Sequence, residues 1–192
     1  MKLSTNDLNT GKKRTWDPYK SKLGAAVMKG LKVDDIIKPG TLVLYLGAST
    51  GSTPSHVSDL IGKHGFMYAV EFADRVYISL EKLAKERLNI MPLLIDARKP
   101  EEYQFVEKVD LVFVDISQPD EVEIAIRNAD MFLKKGGTMM IAVKSQSIDV
   151  TKDPNKVYKE SKQQLQKAGY DVKNVVDIDR YEKKHGFILA TK

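Results

Sequence analysis

Five short runs in the chain are apolar at both odd and even positions, and amphipathic segments separate them. The runs are residues 41–47 (TLVLYLG), 66–72 (FMYAVEF), 90–95 (IMPLLI), 109–116 (VDLVFVDI) and 137–144 (GTMMIAVK). A strand that is apolar on both alternations has both faces covered, which is the pattern of a parallel sheet between two helical layers. Between and after the runs, helical spacing predicts helices over 54–62, 74–88, 120–134 and 155–168. The last opens on Asp153-Pro154, a capping residue followed by proline at the first helical position. An earlier helix starts near Ser21, with Leu23, Val27, Met28 and Leu31 on one face. The tail, YDVKNVVDIDRYEKKHGFILATK, carries two more strand-like runs joined by a polar turn and reads as a hairpin. These elements predict an α/β three-layer sandwich with a seven-stranded, mostly parallel sheet and one antiparallel strand in the C-terminal hairpin.

In such a sheet ligands bind beyond the carboxyl ends of the strands, where strand order reverses. The residues at those ends are therefore the candidates for chemistry. The first run stops at Gly47 and continues as Gly47-Ala48-Ser49-Thr50-Gly51-Ser52-Thr53-Pro54. Glycines there let the backbone approach a ligand or take positive φ. Thr53 is expected as the helix N-cap with Pro54 as the first helical residue. The second run ends in Glu71, placed to bind ribose hydroxyls of a nucleotide-like ligand. The third is followed by Asp96-Ala97-Arg98, and the fourth ends in Asp115-Ile116-Ser117-Gln118. Acids stacked on one rim repel each other, so they point to a ligand rather than to sheet stability. The loop lacks the G-x-G-x-x-G spacing of dinucleotide sites, and an acidic rim favours a cationic cofactor. S-adenosylmethionine fits both conditions.

Composition narrows the class. The 192 residues are 42% hydrophobic, sufficient for a domain with a core. No apolar stretch is long enough to span a membrane, and the polar N-terminal residues do not read as a secretory signal. A cytoplasmic protein is expected. There are no cysteines, which excludes thiolate metal sites, and no metal is expected. The net charge of +5 suits either a polyanionic partner or a lysine-rich surface.

The runs WDPYKSKLGAA (16–26), LYLGASTGSTPSHVSDLIG (44–62), YAVEFADR (68–75), DARKPEEY (96–103), VDISQPDE (114–121), RNADMFLKKGG (127–137) and AVKSQSIDVT (142–151) resemble fibrillarin, and more narrowly the archaeal fibrillarin-like 2′-O-methyltransferases of ribosomal and transfer RNA. The resemblance extends over residues 16–192, expected as one methyltransferase domain of the Rossmann-like class I type. It implies S-adenosylmethionine as methyl donor and assembly with box C/D guide RNA, target rRNA or tRNA, a Nop-domain scaffold protein and a kink-turn-binding ribosomal-type protein. Residues 1–15 read as a loose polar lead-in where archaeal members usually carry a small β-rich domain. Ser52 stands where the family usually has threonine, and Ile116-Ser117 where Val-Ala is common.

By resemblance the cofactor residues are Gly47, Ala48, Ser52, Thr53, Glu71, Phe72, Asp96, Ala97 and Asp115 through Gln118. The catalytic set is Lys22, Asp115, Lys144 and His185. Lys144 ends an apolar run, and a buried ammonium needs a partner; Asp115 is the expected one. Phe72 reads either as an adenine-facing ring or as core, His185 as catalytic or as packing, and Lys22 as catalytic or as a solvated lysine. His56 reads as a packing or cap-region residue. Lys20, Lys22, Arg75, Arg98, Lys144 and Lys152 are candidate RNA contacts. Competing readings are a stand-alone methyltransferase of protein or small molecules and a non-catalytic scaffold.

Overall fold

The protein's computed structural model describes residues 3–192. In chain order the elements are β1 (Ser4–Asn6), β2 (Lys13–Thr15), α1 (Lys22–Met28), β3 (Leu42–Leu46), α2 (Ser52–Ile61), β4 (Phe66–Glu71), α3 (Asp74–Glu86), β5 (Ile90–Leu94), a 3-10 turn at Pro100–Tyr103, β6 (Val109–Val114), α4 (Glu121–Phe132), β7 (Leu133–Lys144), the short α5 (Ser145–Ile148), α6 (Pro154–Lys167), β8 (Asp171–Asp177) and β9 (His185–Thr191). Seven strands form one sheet in the order β5-β4-β3-β6-β7-β9-β8. All neighbours pair in parallel except β9, which runs antiparallel to both β7 and β8.

The two alternations of each central strand feed two separate cores. From β3, Leu44 and Leu46 join Val112, Val114, Ile141 and Val143 under α4 and α6. Val43 and Tyr45 join Leu111, Phe113, Met140 and Ala142 under α1, α2 and α3. That double burial is why these runs lack a polar face. The chain leaves β3 toward β4 and β5 and then returns to β6 on the other side of β3. The switch point, and the crevice that goes with it, lies between the carboxyl ends of β3 and β6.

Asp153 caps α6 as expected, accepting the Asn155 N–H at 2.9 Å. The strand expected over 137–144 begins earlier, at Leu133, because Val109 pairs with Leu133 before the register slips to Leu111–Thr138. The polar residues 134–137 occupy that irregularity and hide it from a periodicity argument.

The expected loose lead-in is an ordered ribbon. β1 and β2 pair antiparallel around a turn closed by Asp7, whose Oδ1 accepts the N–H groups of Asn9 and Thr10 at 3.2 and 2.9 Å. The ribbon is clamped through Asp59 of α2, whose side chain is fully shielded from solvent. Its carboxylate accepts from Arg14 at 2.5 Å, Arg87 at 2.6 Å, the Thr5 hydroxyl at 2.7 Å and the Leu8 N–H at 2.9 Å. Trp16 stacks on His56 with centroids 5.0 Å apart. Because the Thr5 hydroxyl hydrogen goes to Asp59, His56 Nδ1 donates to the Thr5 oxygen at 2.9 Å. Burial, reinforced by Arg14, lowers the His56 pKa to about 4 and keeps the ring neutral. His56 is thus a packing residue.

Removing Asp59 leaves two arginines without their buried counter-charge. Asp59→Ala should cost about 3–5 kcal/mol of stability, the range for breaking a buried pair. Urea denaturation checks it, and limited proteolysis should show new cleavage in residues 8–12.

Candidate active site

A cleft opens beyond the carboxyl ends of β3, β4, β5 and β6. Its walls include Gly47, Glu71, Phe72, Asp96, Ala97, Asp115, Ile116, Ser117 and Gln118. A second hollow shares Gly47, Ser49 and Asp115 with it and adds Lys22, Ala48, Ser52 and Thr53. The two hollows together bring every expected cofactor residue to one rim.

The glycines of the first loop take the positive φ expected of them, and they also make room for the protein's own packing. Gly47 has φ 82°, and a Cβ there would stand 2.3 Å from the Asp115 carbonyl oxygen. Gly51 has φ 88°, and its Cβ would stand 2.4 Å from Leu83. Gly51, not Thr53, is the N-cap of α2, and no side chain caps this end. The Thr53 hydroxyl instead donates to Ser21 Oγ at 3.0 Å, tying α2 to the start of α1. Ala48 is buried, with its N–H given to Val70 at 3.0 Å.

Glu71 is held by three backbone amides. Its Oε1 accepts from Phe72 at 3.0 Å and Ala73 at 2.9 Å, and its Oε2 from Ser49 at 2.8 Å. A carboxylate offers about four acceptor positions, so roughly one remains for a ligand. Two ribose hydroxyls would have to share it. Phe72 is 62% exposed, which rules out core packing and makes it a wall of the cleft. Asp96 Oδ1 accepts the Arg98 N–H at 2.9 Å. Arg98 then reaches Asp120 at 2.9 Å and Gln118 at 2.6 Å, strapping the loop after β5 to the loop after β6. Arg98 is therefore committed within the protein, as is Lys152, which pairs with Asp149 and Glu160. Both side chains remain partly exposed.

The four candidate catalytic residues meet at the other end of the rim. Lys144 ends β7 and stands opposite His185 in the ladder with β9. The Asp115 partner differs from the expected one: it is Lys22, first residue of α1, at 2.8 Å. Burial works against the Lys22 charge, but Asp115, with Glu182 and Glu121 behind it, overrides burial and raises the lysine's pKa. The chain reversal at α1 and the end of β6 creates this pair, and nothing in the local sequence announces it. Among the described residues no carboxylate lies within 4.0 Å of the Lys144 ammonium. His185 is buried, and its Nδ1 lies 2.7 Å from the Lys183 carbonyl. A carbonyl only accepts, so Nδ1 carries the proton and Nε2 holds the lone pair of the neutral ring. Burial lowers the His185 pKa and favours that neutral form.

Sequence reasoning missed Glu121, the first residue of α4. An acid at a helix N-terminus is ordinary, which concealed it. Its side chain is fully buried, Oε1 accepts the Lys144 N–H at 3.2 Å, and burial raises its pKa to about 9.

The strongest similarities to known proteins lie within one family. A family model described as fibrillarin matches residues 4–192. A relative from Methanocaldococcus jannaschii, the fibrillarin-like rRNA/tRNA 2′-O-methyltransferase, is 53% identical over 173 residues, covering 90% of this chain and 74% of the relative. Among solved structures, Aeropyrum pernix fibrillarin in complex with natively bound S-adenosyl-L-methionine superposes with a TM-score of 0.90 at 41% identity, covering 99% of this chain and 89% of that one. A fibrillarin/Nop5p complex gives 0.92 at 37% identity, covering 100% and 94%.

Two outcomes test this geometry. Gly47→Ala forces a non-glycine residue into left-handed backbone, a cost of about 1–2 kcal/mol before any clash, and should lower thermal stability by more than that while displacing Asp115. For Glu121, the unfolded chain releases its proton near the ordinary value of 4.5 and the folded chain near about 9. Between those values the folded state binds the extra proton, so stability falls as pH rises. Urea midpoints across that window should flatten in Glu121→Gln.

Proposed function

The chain belongs to the fibrillarin family, and we propose that it transfers a methyl group from S-adenosylmethionine to ribose 2′-hydroxyls of RNA within a ribonucleoprotein. The observation that carries this reading is the meeting, on one rim, of an acid-lined cleft with the cluster Lys22, Asp115, Lys144 and His185. The activity of the M. jannaschii relative and the ligand of the A. pernix structure support it.

The residues present fit this cofactor. Glu71, fixed by three amides, would receive a ribose hydroxyl, while Phe72, Asp96 and Ala97 would receive the adenine. The loop from Gly47 through Thr53 and the segment Asp115–Gln118 would hold the amino-acid end. Bound there, S-adenosylmethionine supplies a methyl group on a cationic sulfur, whose departure as a neutral thioether needs no acid.

The protein's part is alignment and charge. Holding reacting atoms in near-attack geometry is worth roughly 7–11 kcal/mol. Lys144, with no carboxylate against its ammonium, would stabilise charge growing on the 2′-oxygen. Lys22 and Asp115 fix one another and frame the other side of the hydroxyl. His185 Nε2 offers a lone pair for the departing proton, which becomes acidic as the oxygen–carbon bond forms. Asp115, committed to Lys22, orients rather than serving as the main base.

Of the candidate RNA contacts, Lys20, Arg75 and Lys144 have no ion-pair partner among the described residues and are the freest to meet the RNA backbone. With a net charge of only +5, binding of RNA by the free protein should be modest and should weaken with salt. Target choice fits a box C/D guide RNA, with a kink-turn-binding protein organising it. A Nop-domain partner has direct support from the fibrillarin/Nop5p complex.

Lys144→Ala should lose methyl transfer by on the order of 10²–10³-fold, the scale for removing one donor to a developing oxyanion, while keeping cofactor binding by calorimetry. Full single-turnover transfer by Lys144→Ala would remove it from the chemistry. Mapping of methylated riboses after reconstitution with guide RNA and a Nop-domain protein, beside naked RNA and protein substrates, separates guided transfer from stand-alone activity.

A further inference from the structure

One ionisable side chain at the rim is used by neither the cofactor nor the transfer reading. Glu121 opens α4 directly after the loop Asp115–Asp120, and its carboxyl lies between the ends of β6 and β7. Oε1 accepts the backbone N–H of Lys144 at 3.2 Å. Oε2 is buried and has no hydrogen-bond partner in the protein. The charged groups that face the carboxyl are Asp115 at the end of β6, Lys22 from α1 and Lys144 from β7. Neither lysine's ammonium comes within 4.0 Å of it.

A buried carboxylate with one oxygen unsatisfied is the costlier form, and protonation lowers that cost by removing the charge. We propose that Glu121 is a positioning residue for methyl transfer: as a neutral carboxylic acid it locks the end of β7 at Lys144 and so fixes where that ammonium stands against the Lys22–Asp115 pair. The proposal rests on the transfer reading given above. Its logic is electrostatic. A second negative charge beside Asp115 would compete for Lys22 and Lys144 and draw both ammoniums away from the hydroxyl. A neutral acid keeps the acceptor that Lys144 N–H needs and adds no charge. Burial, which raises the Glu121 pKa to about 9, keeps the acid neutral at physiological pH, and the Lys144 N–H bond and the lysine charges only partly oppose it.

The test is the single-turnover rate of the reconstituted complex, with guide RNA and Nop-domain protein, across the neutral and alkaline range. Wild type, Glu121→Gln and Glu121→Ala are compared, with cofactor affinity measured for each. Wild type should lose activity as pH passes about 9. Glu121→Gln, a permanently neutral isostere, should keep most of the neutral-pH rate and lack that alkaline fall. Glu121→Ala should bind cofactor yet transfer more slowly by on the order of 10²-fold, the scale for a small misplacement of a reacting group. An alkaline fall unchanged in Glu121→Gln overturns the proposal, as does a wild-type rate in Glu121→Ala. If the alanine protein does not fold, the glutamine pH profile alone decides. Wild-type protein inactive on guided RNA would instead overturn the transfer reading and this role with it.

Discussion

The near-contact between two strand ends at the switch point organises the rest of the site. Gly47 and the Asp115 carbonyl approach so closely that no side chain fits between them. That approach fixes where the loop after β6 begins. It thereby sets Asp115 against Lys22, the cleft wall from Ile116 to Gln118, and Glu121 at the start of α4. The cleft and the basic cluster are two outcomes of one backbone packing constraint. This also explains why the loop favours small residues: its glycines accommodate Asp115 and Leu83 from the protein itself.

A second constraint operates away from the cleft. Asp59 collects two arginines, a hydroxyl and a backbone amide, and binds the N-terminal ribbon to α2 and to the end of α3. An unpaired charge in that position would be strongly unfavourable, so the ribbon and the helix stand or fall together. The ribbon packs against the helix that leads out of the Gly47 loop, and so braces the rim from outside.

The sheet was legible because its strands are apolar on both alternations, and two-sided burial produces that signature. The rim acids were legible because strand ends have a fixed relation to the crevice. What escaped notice depended on tertiary approach. The ribbon strands are three residues long and polar, so no periodicity marks them, although the Asp7 turn and Gly11 were local hints. The Lys22–Asp115 pair joins residues far apart in sequence, and proximity of strand ends had suggested Lys144 instead. Thr53 looked like a cap, but the left-handed Gly51 already ends the loop. Glu121 has the sequence context of an exposed first-turn acid, and only the fold reveals that it is buried.

The antiparallel course of β9 gives the hairpin register a chemical meaning. Pairing places His185 opposite Lys144 and Gly186 opposite Val143. Side chains alternate faces along a strand, so a slip of a single residue would bring a glycine, bare of any ring, beside the lysine and turn the imidazole to the far side of the sheet. In most hairpins alignment is a matter of fit. Here it decides whether an imidazole stands beside Lys144.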